Sequence, residues 1–355
     1  MALKGHGVHG GDVYNNKVTM DFSVNVNPYG MPESVRHALS CAIEKCGQYP
    51  DMSSQELVNE ISRRTGIPAE CTLCGNGASE LLMAAVQSLM PSEVLIPVPS
   101  FYGYERAAKS AGSRIVYYQM QETESFCLTD KFTHMLTQDV DMLILATPNN
   151  PAGNMINAEL MEKICDICKA ENITLLIDES FIEFTGRKSF IEEHDLSDYP
   201  HMAVIRSFTK IYAIPGVRLG FMLCGSDEMC RSVAERLPEW NISVFAQEAG
   251  MAALCENDYI SRTVINVANE REFMIRAFTE RGMQVFPGTA NFLLFQGRPE
   301  LYGELLDRGI LIRDCSNFRG LSEGFFRVAV KTHEENVKLF SILDGLNLIQ
   351  RDFSK

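Results

Sequence analysis

Several scarcities narrow the reading before any motif does. Basic residues are outnumbered, 32 Lys and Arg against 46 Asp and Glu, which leaves a formal charge of −14 over 355 residues. A duplex or RNA binder needs a basic stripe to displace counterions from phosphates. No run of this chain supplies one, so nucleic acid is excluded as a partner. Long apolar stretches are missing too: none approaches the ~20 residues that a membrane-spanning helix requires. Residues 1–19 are polar and Gly/His-rich, without the apolar core of a signal peptide. No repeat, low-complexity tract or disordered linker breaks the pattern. Cysteine is present, but an odd count of 11 in a chain of this length reads as reduced thiols, not a disulfide framework. The expectation is a cytoplasmic protein with no membrane contact.

What is present fits a globular α/β chain. Apolar residues make up 46% and charged residues 22%, ordinary values for such folds, and at ~150 residues per domain the length suggests about two domains. Short apolar runs at 94–98, 114–118, 142–146, 174–177, 202–206 and 219–223 read as strands. Several are apolar throughout, as happens when helices cover both faces of a largely parallel sheet. Helical patterns at 80–89, 102–111 and 158–171 lie between them, and in the last Leu160, Met161, Ile164, Cys165 and Cys168 form one stripe. After Leu237-Pro238 the texture changes to a long helical stretch, 246–281. Strands at 291–295, 310–313 and 325–330 follow, then a closing helix from His333. This predicts an N-terminal arm with part of a small domain over 1–37, a large domain over 38–240, and a smaller α+β domain over 241–355.

The densest chemistry lies in Ser207-Phe208-Thr209-Lys210 and the Arg218 that follows. A lysine at a strand end, flanked by hydroxyls and followed by an arginine in a Gly-rich turn, suits an amine that forms a Schiff base. Ser207 and Arg218 would then grip an anion beside it. A lone loop lysine is usually just solvated; the surroundings change that reading. Cys74-Gly75-Asn76-Gly77-Ala78-Ser79-Glu80 joins a strand-like run to a helix. Free N–H groups at such a helix start make a phosphate site, although Ser79 could equally be a simple cap. Thr147-Pro148-Asn149-Asn150-Pro151-Ala152-Gly153 follows one buried strand, and Ile177-Asp178-Glu179-Ser180-Phe181 follows another. A carboxylate that closes an apolar strand needs a partner. Asp178 either caps a helix or faces a cation, and a protonated pyridine nitrogen is such a cation.

Asn150-Pro151-x-Gly153, Asp178-x-x-Phe181, and Ser207-x-x-Lys210 with Arg218, in this order and at these intervals, resemble the pyridoxal 5′-phosphate (PLP)-dependent aminotransferases of class I/II, the fold-type I group. The resemblance covers nearly the whole chain. Within the group the likeness is to the L-threonine-O-3-phosphate decarboxylase branch of cobalamin synthesis, itself related to histidinol-phosphate aminotransferases. It is carried by His9-Gly10-Gly11, the run Asp21 to Pro28, Arg206 to Gly220, Ile310 to Asn317, and Phe326-Arg327-Val328-Ala329. The resemblance implies a large domain with a mostly parallel mixed sheet flanked by helices, plus a smaller α+β domain. It implies that Lys210 holds PLP covalently and moves protons at the substrate Cα, while Asp178 keeps the pyridine nitrogen protonated. Asn150 would bond the ring oxygen and Phe101 would stack on the ring face. The cofactor phosphate would meet Ala78, Ser79, Ser207 and Arg218, with Tyr49 reaching in from the partner subunit of a homodimer. Arg327 would clamp the substrate carboxylate, Arg313 and His9 a phosphate on the substrate, and Asn25 lies in the matching run at the substrate side.

Two chemistries stay open on the same atoms, because the Cα bond held perpendicular to the ring is the one that breaks. Decarboxylation of L-threonine O-3-phosphate is the favoured expectation, with transamination of histidinol phosphate by 2-oxoglutarate as the alternative. Phe181 stands where aminotransferases carry Tyr, which agrees with the decarboxylase branch, whereas the loop Gly75 to Glu80 is closer to the aminotransferase form. A binding protein without turnover is a third class, which the intact Lys210, Asp178, Asn150 and Arg218 argue against. Cys71-x-x-Cys74 and Cys165-x-x-Cys168 have a zinc-like spacing but are expected to be packing thiols, and no metal is expected.

Overall fold

The computed structural model describes residues 10–346, so His9 of the expected phosphate grip lies outside the described residues. Seven strands form the larger sheet: β1 (Thr72–Gly75), β2 (Glu93–Val98), β3 (Arg114–Gln119), β4 (Met142–Ala146), β5 (Thr174–Asp178), β6 (Met202–Ser207) and β7 (Gly220–Cys224). Their spatial order is β1-β7-β6-β5-β4-β2-β3, with parallel pairing except at β7, which runs antiparallel to both neighbours. The mixed, mostly parallel sheet expected from the continuous apolar runs is the one observed.

Alternating side chains of these strands serve two cores, because successive residues point to opposite faces. Val94, Ile96, Ile144 and Ala203 pack with helices Ala78–Leu89 and Gly103–Ser110 on one face. Leu95, Leu143, Leu175 and Val204 pack with helix Ala158–Glu171 on the other. That helix starts where the Asn157 side chain accepts from the N–H groups of Glu159 and Leu160, satisfying two donors that the first turn leaves unpaired. It buries Leu160, Met161, Ile164, Cys165 and Cys168, the stripe read from periodicity. Both Cys165 and Cys168 are therefore core thiols.

A second sheet is wholly antiparallel. It holds β8 (Gln284–Phe286), β9 (Phe292–Gln296), β10 (Arg313–Asp314) and β11 (Phe325–Ala329) in the order β10-β11-β9-β8. The apolar run at 310–313 is divided between two partners: Ile310–Leu311 pairs in parallel with Met20–Asp21, and Arg313–Asp314 joins the second sheet. The long helical stretch is also divided, into Val244–Leu254 and Asn257–Glu280. The break falls just before Asn257-Asp258, residue types that favour helix starts over interiors. Beyond its strand pairing, Phe22 accepts from Ala329 N–H at 2.8 Å, and Asn27 N–H donates to the Lys210 carbonyl at 3.0 Å. The N-terminal segment thus stitches the second sheet to the turn that carries Lys210. Among the described residues no helix is long and apolar enough to cross a membrane.

Candidate active site

The carboxyl ends of β2, β4, β5 and β6 share one sheet edge, where ligands of open α/β sheets gather. The register places the end of β1 and the start of β7 there too, through Gly75 opposite Gly220 and Ser207 opposite Gly220. A cleft of ≈ 220 Å³ opens at that edge. Its wall includes Ala78, Ser79, Phe101, Asn150, Asp178, Ser207, Lys210, Arg218, Asn25, Arg313 and Arg327, so the structure brings eleven residues from widely separated stretches of the chain to one cleft. Four cationic side chains, Lys210, Arg218, Arg313 and Arg327, face one carboxylate, Asp178. A locally positive cleft inside a chain of net −14 is suited to a ligand set that carries several negative charges.

One end of the cleft has the features of an anion site, an uncapped helix start beside a guanidinium. Gly77 precedes helix Ala78–Leu89 with φ +84°, and no side chain caps that helix. The Arg218 guanidinium fills the space where a side chain at 77 would be: a Cβ there would lie 2.2 Å from Arg218 Nη2. Arg218 itself has φ +61°, a left-handed backbone that is uncommon outside glycine and tends to occur at functional sites. Gly220 permits the closest approach, since a Cβ on it would sit 2.6 Å from the Ala78 nitrogen. Ser207 Oγ and Thr209 Oγ1, which line the same cleft, share a hydrogen bond of 2.7 Å.

The centre holds the acid, the amine and the aromatic walls. Asp178 Oδ2 accepts from the Tyr104 hydroxyl at 2.8 Å, and Oδ1 accepts from Ser180 N–H at 2.9 Å. Phe101 stands edge-on to Tyr104, with ring centroids 5.6 Å apart, and Phe181 meets Phe292 edge-on at 5.0 Å. Lys210 lies on the short turn Phe208–Ile211 directly after β6. Burial pushes its amine down to about 8; the Arg218 and Arg327 charges add to the shift and Asp178 opposes it. An amine so placed is partly neutral near physiological pH, the state that attacks a carbonyl.

At the far side, Arg313 and Arg327 are register partners across β10 and β11, so their side chains share a face. Both are buried and both line the cleft. Arg327 donates through Nη1 to Asn150 Oδ1 and through Nη2 to the Ser23 carbonyl at 2.8 Å. Burial pushes its guanidinium down to about 10, which leaves it charged at neutral pH. Arg313 donates to Asn317 Oδ1 at 2.7 Å and lies 5.1 Å from the centre of the Phe318 ring. Burial lowers its pKa as well. Two polar atoms on this wall, Asn25 Oδ1 and Arg327 Nε, are buried without a partner, and such atoms are costly unless a ligand or water satisfies them. The cradle at Gly77, the paired carboxylate, the depressed amine and these orphaned atoms together fit PLP and a substrate with further anionic groups.

Tyr49 is not in the cleft. It is 81% exposed and rests against Trp240 with ring centroids 4.9 Å apart. Tyr104, Thr209 and Phe318 line the cleft but were given no role by sequence reasoning. Tyr104 follows Phe101 by three residues, and that spacing was the one available signal. Among the described residues no cluster of three or more His, Cys, Asp or Glu could hold a metal.

Comparison with known proteins agrees with this geometry. The model of the family "aminotransferase class I and II" matches residues 17–343. Threonine-phosphate decarboxylase of Salmonella typhimurium is 37% identical over 330 residues, covering 91% of this chain and 90% of that protein. Histidinol-phosphate aminotransferase of Methanococcus aeolicus is 29% identical, covering 90% of this chain and 87% of that one. The crystal structure of the histidinol-phosphate aminotransferase of Clostridium acetobutylicum superposes with a TM-score of 0.86 at 33% identity, covering 92% of this chain and 98% of that one.

Proposed function

The chain belongs to the aminotransferase class I and II family, PLP-dependent enzymes, and on that premise we propose that it decarboxylates L-threonine O-3-phosphate to (R)-1-aminopropan-2-yl phosphate, a step of cobalamin synthesis. The observation that carries this reading is the pairing of two buried arginines, Arg313 and Arg327, on one wall of the cleft. Arginine's planar fork suits carboxylate and phosphate alike, and a substrate bearing one of each satisfies both.

In this reading Ala78, Ser79, Ser207 and Arg218 hold the cofactor phosphate. Asn150 serves the ring oxygen, Phe101 covers the ring, and Asp178 faces the ring nitrogen. Bound PLP supplies an electron sink for charge released at the substrate Cα. Arg327 takes the substrate carboxylate, Arg313 its phosphate, and Asn25 Oδ1 offers an acceptor to a substrate donor. With both ends of the substrate held, the bond from Cα to the carboxylate is the one placed to break. Carbon dioxide leaves, and Lys210 Nζ returns a proton to Cα. Tyr49, exposed beside Trp240, is assigned to the phosphate end of the partner subunit's site in a cytoplasmic homodimer.

The likeness to histidinol-phosphate aminotransferases supports a second reading on the same residues. If Cα–H is the bond placed to break, Lys210 removes that proton and the outcome is amino transfer to 2-oxoglutarate. Carbon dioxide release from L-threonine O-3-phosphate, measured without any added keto acid, distinguishes the two. No release, together with 2-oxoglutarate-dependent conversion of histidinol phosphate, would establish the second reading.

A further inference from the structure

The loop that follows β10 does two things at once. Its inner side supports the arginine assigned to the substrate phosphate: Asn317 accepts from Arg313 and the Phe318 ring lies against the Arg313 guanidinium. The very next residue, Arg319, turns outward onto the larger sheet. Its guanidinium lies 4.1 Å from the centre of the Tyr117 ring on β3 and bonds the Glu105 carboxylate at 3.4 Å. Gly320 then presents its carbonyl to Gln119 Nε2 with φ +87°, and a Cβ at 320 would lie 2.3 Å from the Gln119 side chain. The positive φ disfavours a residue with a side chain at this position, and any Cβ there would push the Gln119 amide aside.

Glu105 belongs to helix Gly103–Ser110. The residue before it, Tyr104, bonds Asp178, and Phe101 just upstream lines the cleft. The loop with Asn317 and Phe318 is therefore clamped onto the helix that positions the groups assigned to the cofactor ring. An exposed ion pair of this kind contributes little to stability, about 0–1 kcal/mol, so stability alone gives little reason for the arrangement. We propose that Arg319, clamped by Glu105 and Tyr117, is a positioning residue that holds the Arg313–Asn317–Phe318 wall in register with the cofactor side and so sets affinity for the distal anion of the substrate. The proposal rests on the assignment of Arg313 to that anion. Ordering the wall beforehand spares the ligand the cost of ordering it on binding.

The test uses holoenzyme and two probes without an amine, 3-phosphonopropionate and butyrate, with dissociation constants measured by calorimetry. Both probes carry a carboxylate for Arg327, and only the first carries a distal phosphonate. Arg319→Met should weaken 3-phosphonopropionate about five- to tenfold, the scale of a lost stacked cation and its ion pair. Butyrate binding should not change, and the melting temperature should stay within ~2 °C. Arg319→Lys, which retains the charge, should recover part of the loss, and Glu105→Gln should weaken the same probe. Unchanged phosphonate binding in Arg319→Met, or equal losses for both probes, would overturn the clamp while leaving the Arg313 assignment standing. If the unsubstituted enzyme shows no preference for the phosphonate, the Arg313 assignment itself fails and the clamp fails with it.

Discussion

Replacing Tyr104 with Phe asks how much of the site's order depends on one hydroxyl. Tyr104 is buried, and its hydroxyl donates to Asp178 Oδ2 at 2.8 Å while Ser180 N–H serves the other oxygen. Phe keeps the ring and nearly all the volume, so the cavity contribution is small. What is lost is a hydrogen bond to a charged group, worth roughly 1.5–3 kcal/mol, out of a typical total of ~5–15 kcal/mol. Chemical denaturation of the apoprotein at pH 7 should show that loss as a lower midpoint with unchanged slope. A pH series adds a second signature. Burial first, and then the Asp178 charge, holds the Tyr104 phenol well above its ordinary value of 10.0. The native state keeps a proton that an unfolded tyrosine releases near pH 10, so this residue's stabilisation is complete below that pH. It declines above it by ~1.4 kcal/mol per pH unit. Phe has no such proton, so the stability gap between the two proteins should narrow as pH rises past ~10. A midpoint at pH 7 within ~0.5 kcal/mol of the parent, or a gap that stays parallel from pH 9 to 11, would refute the reasoning.

Two further outcomes follow from the same cleft. Gly77→Ala places a Cβ 2.2 Å from Arg218 Nη2 at a backbone φ of +84°. It should displace the guanidinium at a cost of ~1–3 kcal/mol and weaken cofactor retention by tenfold or more, read from absorbance after gel filtration; normal retention would contradict the phosphate cradle. Capture of PLP by the apoprotein needs the neutral Lys210 amine, which burial pushes down to about 8. The rate of borohydride-fixable adduct formation should therefore rise about tenfold per unit below that pH and level off above it, whereas a rate still climbing at pH 10 would indicate an ordinary lysine.

Much of the fold was legible because the signals were local. Continuous apolar runs such as 142–146 announced strands covered on both faces, and the stripe from Leu160 to Cys168 announced a helix with one buried side; both are found. Division of the run at 310–313 between two pairings was not legible, since a strand's partner is a matter of register with distant chain. The break before Asn257 was missed for a related reason: helical periodicity on either side continues across a two-residue interruption. In the site, Lys210, Asp178 and Arg218 were readable because their neighbours are unusual, while Tyr104 and Arg319 sit in ordinary helical and loop contexts.

The residue types and their intervals were enough to determine the class of chemistry: an amine after one strand, a carboxylate at the end of another, glycines before a helix, and arginines on a late strand pair. Their convergence was a tertiary matter. Gly75, Ser207 and Gly220 meet because β7 runs antiparallel between β1 and β6, which brings three chain segments to one sheet edge. Depression of the Lys210 amine likewise depends on burial and on two arginines, eight and more than a hundred residues away along the chain. Composition and spacing constrain what each residue can do, whereas electric field, desolvation and hydrogen-bond partners depend on distance in space, and only the folded chain sets that distance.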